Sequence, residues 1–245
     1  MPGLFAVLVF ILISAANAPA YSEPKSLHVG LLEIPPYAIN RGDGTIHGLF
    51  VDIFQKFLKD NEWNITLAAY PTARLKRYMQ NGSVDCTIYI RTPATEEVAE
   101  PIVYLGVDFN SAVIAKKPTQ ISKYEDLKKL RLGVARGTIF GHKIDTDNEI
   151  NKLITRDYRQ SAIMLSRNRV DAILGVDWSI LYNLMQVGVS LQDLSPPFIL
   201  RSSELWVFCS HLAKLTASDK NAIRQRFENL RRSGQIDQVL SRYNL

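Results

Sequence analysis

Apolar residues along the chain alternate between short continuous runs and helical spacings, which predicts strands and helices in turn. Residues 27–32 form a short, mostly apolar run that closes at prolines, so we predict a buried strand there. In residues 50–58 the apolar positions recur three or four apart, as in a helix with one apolar face. The loop between them leaves the carboxyl end of a strand, where open α/β sheets usually hold their ligands.

The same alternation continues to the end of the chain. Further strands are predicted at residues 64–69, 84–90, 111–116, 130–135, 170–177 and 205–209. Helices are predicted at residues 74–81, 161–168 and 219–232, with a short helix ending near Tyr243. Residues 150–154 are interpreted as part of a polar connecting region. Strands separated by helices favour a mainly parallel α/β sheet.

A local pattern occurs twice. In each half of the chain a predicted helix ends at a polar turn, and a Val-Asp pair, Val84-Asp85 or Val170-Asp171, then opens a strand. This weak repetition indicates two similar α/β lobes rather than one continuous sheet. Both aspartates stand at element boundaries, as Asp52 does, so we interpret all three as capping or turn acids.

The first residues have the features of an export signal. Residues 4–13 are apolar but too few to span a bilayer, which needs about 20 residues. Ala18 and Ala20 fit a small-x-small cleavage site before Tyr21, so we predict a signal peptide at residues 1–20, with a retained anchor as the alternative. No second long apolar run follows, and we expect an exported mature protein.

Charge and cysteine content exclude some classes. The chain has 29 Lys and Arg against 24 Asp and Glu, a net charge of +5, but the basic residues are scattered and nucleic-acid binding is not expected. Cys86 and Cys209 have no His or Cys nearby at ligand spacing, so neither a metal site nor a cofactor is expected. We expect two separately buried thiols, or a disulfide if their strands are neighbours.

Several short motifs occur in a characteristic order along the chain. They are Pro35-Pro36-Tyr37, Gly48 with Val51-Asp52, Gly82-Ser83-Val84-Asp85, Arg91-Thr92-Pro93, Tyr124-Glu125-Asp126-Leu127-Lys128, Gly133-Val134-Ala135-Arg136-Gly137-Thr138, Arg169-Val170-Asp171-Ala172 and Ser233-Gly234. Over residues 27–243 the chain resembles a divergent member of bacterial extracellular solute-binding protein family 3, the periplasmic binding proteins of polar amino-acid ABC transporters. The resemblance implies a two-lobed type II periplasmic binding protein fold with a ligand cleft between the lobes.

The resemblance also implies lobe limits and a function. Residues 21–106 and 205–245 would form the first lobe and residues 107–204 the second, with a two-crossing hinge between them. Such a protein captures a small polar solute, an amino acid or a related compound, by lobe closure. It works as a monomer in the periplasm and delivers the solute to a membrane permease, without chemistry.

Two other functions remain open. Cyclohexadienyl dehydratase resembles this family and needs an acid in the cleft, a role that Glu33 or Asp177 would fill. No Ser-His-Asp, metal or phosphate-loop pattern is present in the sequence, so no catalytic residue is assigned. A sensory protein that presents its liganded lobes to a separate receptor is the third possibility.

The family site maps onto this chain only in part. The resemblance implies that Thr138 assists in binding an α-carboxylate and that Asp177 binds an ammonium group. The family's carboxylate-binding Arg is missing, because Thr95 stands in its place. Arg91 and Arg74 are the candidate replacements, and each is alternatively a surface ion-pair partner.

The remaining candidates come from their positions. Glu33 lies beside the Pro-Pro loop and would bind a ligand cation or cap a backbone group. Tyr37 would stack on the ligand or face the core. Thr92, in the turn before Thr95, and Arg136, in the loop before Thr138, complete the predicted ligand-binding set. Tyr89 and Trp178 are predicted wall residues.

Overall fold

The computed structural model describes residues 25–58 and 63–243. The predicted signal peptide lies outside these residues. Within them, no helix has the length and apolar character that a membrane crossing requires.

The described chain alternates strands and helices as predicted. The strands are β1 Ser26–Leu32, β2 Ile39–Asn40, β3 Ile46–His47, β4 Asn64–Tyr70, β5 Cys86–Ile90, β6 Ala99–Ala115, β7 Arg131–Ala135, β8 Asn151–Thr155, β9 Ala172–Val176 and β10 Phe198–Ser210. The α-helices are α1 Leu49–Leu58, α2 Thr72–Gln80, α3 Pro93–Glu96, α4 Tyr158–Ser166, α5 Asp177–Gln186, α6 Ala217–Arg232 and α7 Gln235–Ser241. Short 3-10 helices occur at Tyr124–Lys129, Lys143–Asp145 and Leu191–Asp193.

Eight strands are hydrogen-bonded in the order β4-β1-β5-β10-β6-β9-β7-β8, and β2 pairs separately with β3. Strands β4, β1 and β5 are parallel and form the centre of the first lobe. Strands β8, β7 and β9 are parallel and form the centre of the second lobe. The two lobes are joined by the long antiparallel strands β6 and β10.

The joining strands pass from one lobe to the other without a break. They pair along most of their length, from Phe198 with Val113 to Ser210 with Ala99. One end of β10 also pairs with β5, and the opposite end of β6 pairs with β9. The strands predicted at residues 111–116 and 205–209 cover only parts of β6 and β10, because the polar residues at the crossing interrupt the apolar pattern.

The aspartate of the repeated Val-Asp pair forms the same hydrogen bonds in both lobes. The Asp85 carboxylate accepts from the backbone N–H of His28 at 2.8 Å, and the Asp85 N–H donates to the His28 carbonyl at 2.8 Å. The Asp171 carboxylate accepts from the Arg131 N–H at 2.7 Å, and the Asp171 N–H donates to the Arg131 carbonyl at 2.9 Å. Each aspartate therefore ties the start of one strand to the start of its parallel neighbour, as expected of a boundary acid.

Two features of the second lobe differ from the sequence prediction. Residues 150–154, predicted to be a connection, largely coincide with strand β8, which is polar because it is the sheet's edge strand and has a single neighbour. The strand predicted at 170–177 ends at Val176, and helix α5 starts at Asp177. Helix α5 was not predicted, although Ile180 and Leu184 are buried four residues apart.

The expectation of two separate thiols is also wrong, because Cys86 and Cys209 form a disulfide. Strands β5 and β10 are adjacent and antiparallel, and their register sets these two residues directly opposite each other. Both cysteines are buried in the first lobe. A disulfide was the alternative if the two strands were neighbours, but that adjacency could not be predicted because 123 residues separate the cysteines along the chain.

The C-terminal helices pack on the first lobe. In α6, Phe227 lies against Phe54 and Phe57 of α1, with ring centroids 5.5 Å and 4.8 Å apart. Helix α7 contacts both α1 and α6. The first lobe is therefore assembled from both ends of the described chain, whereas the core of the second lobe comes from its middle.

Candidate functional site

A cavity of about 790 Å³ lies between the two lobes, at the carboxyl ends of their parallel strands. The first lobe contributes mainly apolar side chains, including Ile34, Pro35 and Ile90, together with Tyr89. The second lobe contributes the loop after β7 and the start of α4. Ser111 and Ser203 on the joining strands complete the wall, so the cavity contacts both lobes and the connection between them.

Glu33 and Arg136 occupy equivalent positions on opposite sides of this cavity. Glu33 directly follows β1, and its backbone N–H donates to the carbonyl of Tyr70, the last residue of β4, at 2.9 Å. Arg136 directly follows β7, and its N–H donates to the carbonyl of Thr155, the last residue of β8, at 2.9 Å. The two lobes thus present opposite charges from the same place in the fold.

The charged groups of Glu33 and Arg136 are free to contact a solute in the cavity. Glu33 is half-buried and Arg136 is exposed, and both line the cavity. Within residues 25–58 and 63–243, neither the Glu33 carboxylate nor the Arg136 guanidinium forms a hydrogen bond or an ion pair. Nothing in that part of the chain competes with a solute for these two groups.

Three further arginines line the cavity, and none of them was predicted from the sequence. Arg156 is paired through Nε with Asp157 at 2.9 Å, and Asp157 also caps α4 by accepting from the Gln160 N–H at 2.8 Å. Arg159 lies in the first turn of α4. Arg201, on β10, donates from Nη1 to the Gly141 carbonyl at 3.4 Å.

Thr138 lines the cavity beside Arg136, as the family site implies. Its hydroxyl donates to the Ala135 carbonyl at 2.8 Å, which holds the loop after β7 close to the strand. The neighbouring Tyr158 hydroxyl accepts from the Val176 N–H at 3.0 Å, and burial raises the pKa of this phenol. Loop, helix α4 and strand β9 are therefore fixed together at this edge of the cavity.

Asp177 does not line the cavity. It is 6% exposed, and its carboxylate accepts from the Asn110 side-chain amide at 2.9 Å and from the Trp178 N–H at 2.7 Å. Burial raises the pKa of this carboxyl, and the two hydrogen bonds oppose that rise. In this conformation Asp177 joins helix α5 to the joining strand β6.

Tyr37 is buried and faces other aromatic rings rather than the cavity. Its ring centroid lies 4.9 Å from Phe50, 5.3 Å from Phe109 and 6.0 Å from Trp178, which it stacks on at 17°. Burial, followed by the charge of Asp177, raises the pKa of Tyr37 well above its usual range. Its hydroxyl has no hydrogen-bond partner in the described part of the chain.

The structure places Arg74, Arg91 and Thr92 outside the cavity. Arg74 is exposed on α2. Arg91 pairs through Nε with Glu96 at 2.6 Å and lies 4.6 Å above the Trp206 ring. Thr92 caps α3 by accepting from the Thr95 N–H at 3.2 Å. Of the predicted site residues, the cavity brings together Glu33, Arg136 and Thr138, with Tyr89 as a wall residue.

Comparison with known proteins gives one partial sequence match and many structural ones. No family model matches the chain. The arginine-binding periplasmic protein of Mannheimia haemolytica is 27% identical over 145 residues, which are 58% of this chain and 58% of that protein. The chain thus matches a little over half the length of this curated relative.

Two solved structures cover most of the chain. A mutant of ArgBP from T. maritima has a TM-score of 0.68 and 18% identity, covering 89% of this chain and 94% of that one. A histidine kinase sensor domain with similarity to periplasmic binding proteins has a TM-score of 0.71 and 13% identity, covering 90% and 96%. The predicted two-lobed type II periplasmic binding protein fold is confirmed, as is the resemblance to solute-binding proteins.

Proposed function

We propose that this chain is a periplasmic solute-binding protein that closes its two lobes on a small polar solute, an amino acid or a related compound. The observation that carries the proposal is the cavity of about 790 Å³, which is lined by both lobes and by the strands that join them. A solute that contacts both walls stabilises the closed arrangement relative to the open one, and binding is thereby coupled to shape. The arginine-binding relative supports the amino-acid class.

In this proposal residues 21–106 and 205–245 form one rigid body and residues 107–204 the other. The protein works as a monomer in the periplasm, after removal of residues 1–20, and delivers its solute to the permease of an ABC transporter. The ligand-binding set is Glu33, Arg136 and Thr138, joined by the newly identified Arg159 and Arg201. The other predicted site residues would contact the ligand only in an arrangement of the lobes different from the one described here. They are Tyr37, Arg74, Arg91, Thr92 and Asp177.

A solution experiment on residues 21–245 tests the proposal. A thermal-shift screen with amino acids, polyamines and small carboxylates identifies a binder, because a solute at about 100 times its Kd adds roughly 2.7 kcal/mol to stability. Small-angle scattering then follows the radius of gyration with and without that solute. We expect a smaller radius when it is bound, and an unchanged radius would contradict closure.

The same sample separates the alternatives. NMR of the released solute is expected to show it unaltered, whereas a converted product would establish an enzyme of the dehydratase type. A sensory role is favoured by one comparison, the histidine kinase sensor domain that shares this fold. Reconstitution with a permease and uptake of the labelled solute would establish delivery, and capture of a receptor kinase in place of a permease would establish the sensory role.

A further inference from the structure

We infer that the solute carries two anionic groups and one cationic group, and that the second lobe binds the anions while Glu33 of the first lobe binds the cation. This inference rests on the proposed function, and it names the solute class. Its basis is the distribution of charged side chains around the cavity.

The cavity walls carry four arginines, Arg136, Arg156, Arg159 and Arg201, but only two acids, Glu33 and Asp157. The Arg156–Asp157 pair neutralises itself and holds the start of α4. The remaining balance is three guanidinium groups against the single carboxylate of Glu33. A bound solute that is complementary to these walls therefore has more negative than positive charge.

The charges are also separated in space. All four arginines lie on the second lobe or on the joining strand β10, whereas Glu33 is the charged side chain that the first lobe brings to the described cavity wall. Guanidinium groups match carboxylates with paired donors. Lobe closure takes Glu33 away from water, so a solute without a cation would leave a buried charge unpaired. One amino group and two acidic groups satisfy both walls.

This arrangement reverses the polarity that the family resemblance implies. There, an Arg of the first lobe holds the carboxylate and an Asp of the second lobe holds the ammonium group. Here Thr95 replaces that Arg, and its hydroxyl donates to the Ile90 carbonyl at 3.1 Å. Asp177 accepts hydrogen bonds from Asn110 and Trp178 and does not line the cavity. Glu33 and Arg136, at equivalent positions, supply the missing charges from the opposite lobes.

Calorimetric titration of residues 21–245 with four probes tests the charge requirement. L-glutamate has the full set, L-glutamine has nearly the same shape but one anionic group fewer, glutarate lacks the amino group, and L-arginine has an excess of positive charge. We expect L-glutamate to bind at least tenfold more tightly than each of the others. Equal or tighter binding of L-glutamine or L-arginine would overturn the inference and leave the proposed function intact.

Three variants test the assignment of each wall. Arg136→Gln should weaken L-glutamate at least tenfold and weaken L-glutamine less. Glu33→Gln should weaken L-glutamate at least tenfold and tighten glutarate, because it removes the carboxylate that glutarate leaves unpaired. The control is Arg169→Gln, which removes the same charge from an exposed residue beyond α4 and outside the cavity, and should leave all affinities unchanged.

The remaining outcomes are equally decisive. If Asp177→Asn weakens L-glutamate and Glu33→Gln does not, the cation is bound in the family's way and the reversed polarity is wrong. If none of the four probes binds but a solute without two anionic groups and one cationic group lowers the radius of gyration, the charge requirement is wrong and the proposed function stands. If no solute of any class binds, both fail.

Discussion

The first strands of the two lobes, β1 and β7, are held in the same way at both ends but carry opposite charges into the cleft. At the base, Asp85 and Asp171 accept the N–H groups of His28 and Arg131. At the cleft, the N–H group of the residue after each strand donates to the last carbonyl of the neighbouring strand. Those residues are Glu33 in the first lobe and Arg136 in the second.

The two positions share their backbone geometry and differ in the charge of the side chain. The backbone bonds at strand ends are independent of the side chain at Glu33 or Arg136, so either position accepts either charge without altering the sheet. Function is therefore set by the residues that the scaffold presents, as is usual for folds shared by many activities. A second difference between the lobes is covalent, since only the first contains the disulfide of the described chain.

The largest expected effect comes from removing that disulfide with Cys86→Ala and Cys209→Ala. The bond joins β5 to the returning strand β10 across a loop of 123 residues, so the double variant should lose about 2–5 kcal/mol of unfolding free energy. Urea unfolding of the oxidised wild type and the variant measures the loss. If the lobes unfold separately, only the unfolding transition of the first lobe should move. A shift of the second lobe's transition alone would contradict the assignment of the disulfide's stabilising effect to the first lobe.

A smaller, paired effect tests the equivalence at the base. Asp85→Ala and Asp171→Ala each leave a backbone N–H without its carboxylate acceptor, and each should cost about 1–3 kcal/mol. The ion pair of Asp171 with Arg131 is partly exposed and should add little. Thermal unfolding of the two variants at neutral pH gives the comparison. If only one of the two variants lost stability, the same hydrogen-bond geometry would contribute differently to the stability of the two lobes.

Local sequence patterns anticipated much of this scaffold. Most strands and helices follow from apolar spacing, because that spacing reports burial on one element at a time. Glu33 and Arg136 were predicted from their positions in the loops after strands, and Thr138 from the family resemblance. The same rule would have found Arg156 and Arg159 if residues 151–155 had been recognised as strand β8.

Features that depend on distant parts of the chain were not anticipated. The disulfide depends on the register of β5 against β10, and the burial of Tyr37 depends on Phe109 and Trp178 packing around it. Arg91 and Thr92 belong to a motif of the family in sequence. In the structure, however, Arg91 forms an ion pair with Glu96 and Thr92 caps helix α3. Spacing along the chain gives the type of a residue and its element, whereas the available partners are set by tertiary packing.

The smallest expected effect compares two aspartates whose pKa values move in opposite directions. In the second lobe, burial raises the pKa of Asp177. In the first lobe, hydrogen bonds from Lys25 and Thr216 lower the pKa of Asp219 to about 2. A raised pKa means that the folded state binds the proton more readily than the unfolded chain, so the stability contribution of Asp177 falls as pH rises through the raised pKa. For Asp219 the contribution is present above the unfolded value of about 4 and is lost as pH falls toward 2.

Asparagine variants at the two positions make this difference measurable. From chemical unfolding at a series of acidic pH values, the stability of wild type relative to Asp177→Asn should decrease with rising pH. Relative to Asp219→Asn it should increase between about pH 2 and pH 4. Opposite slopes would mean that Asp177 is held in its buried position at a cost in stability, as a group retained for binding or for lobe movement would be. Slopes of the same sign would place Asp177 with the structural acids, and its burial would then need no functional reason.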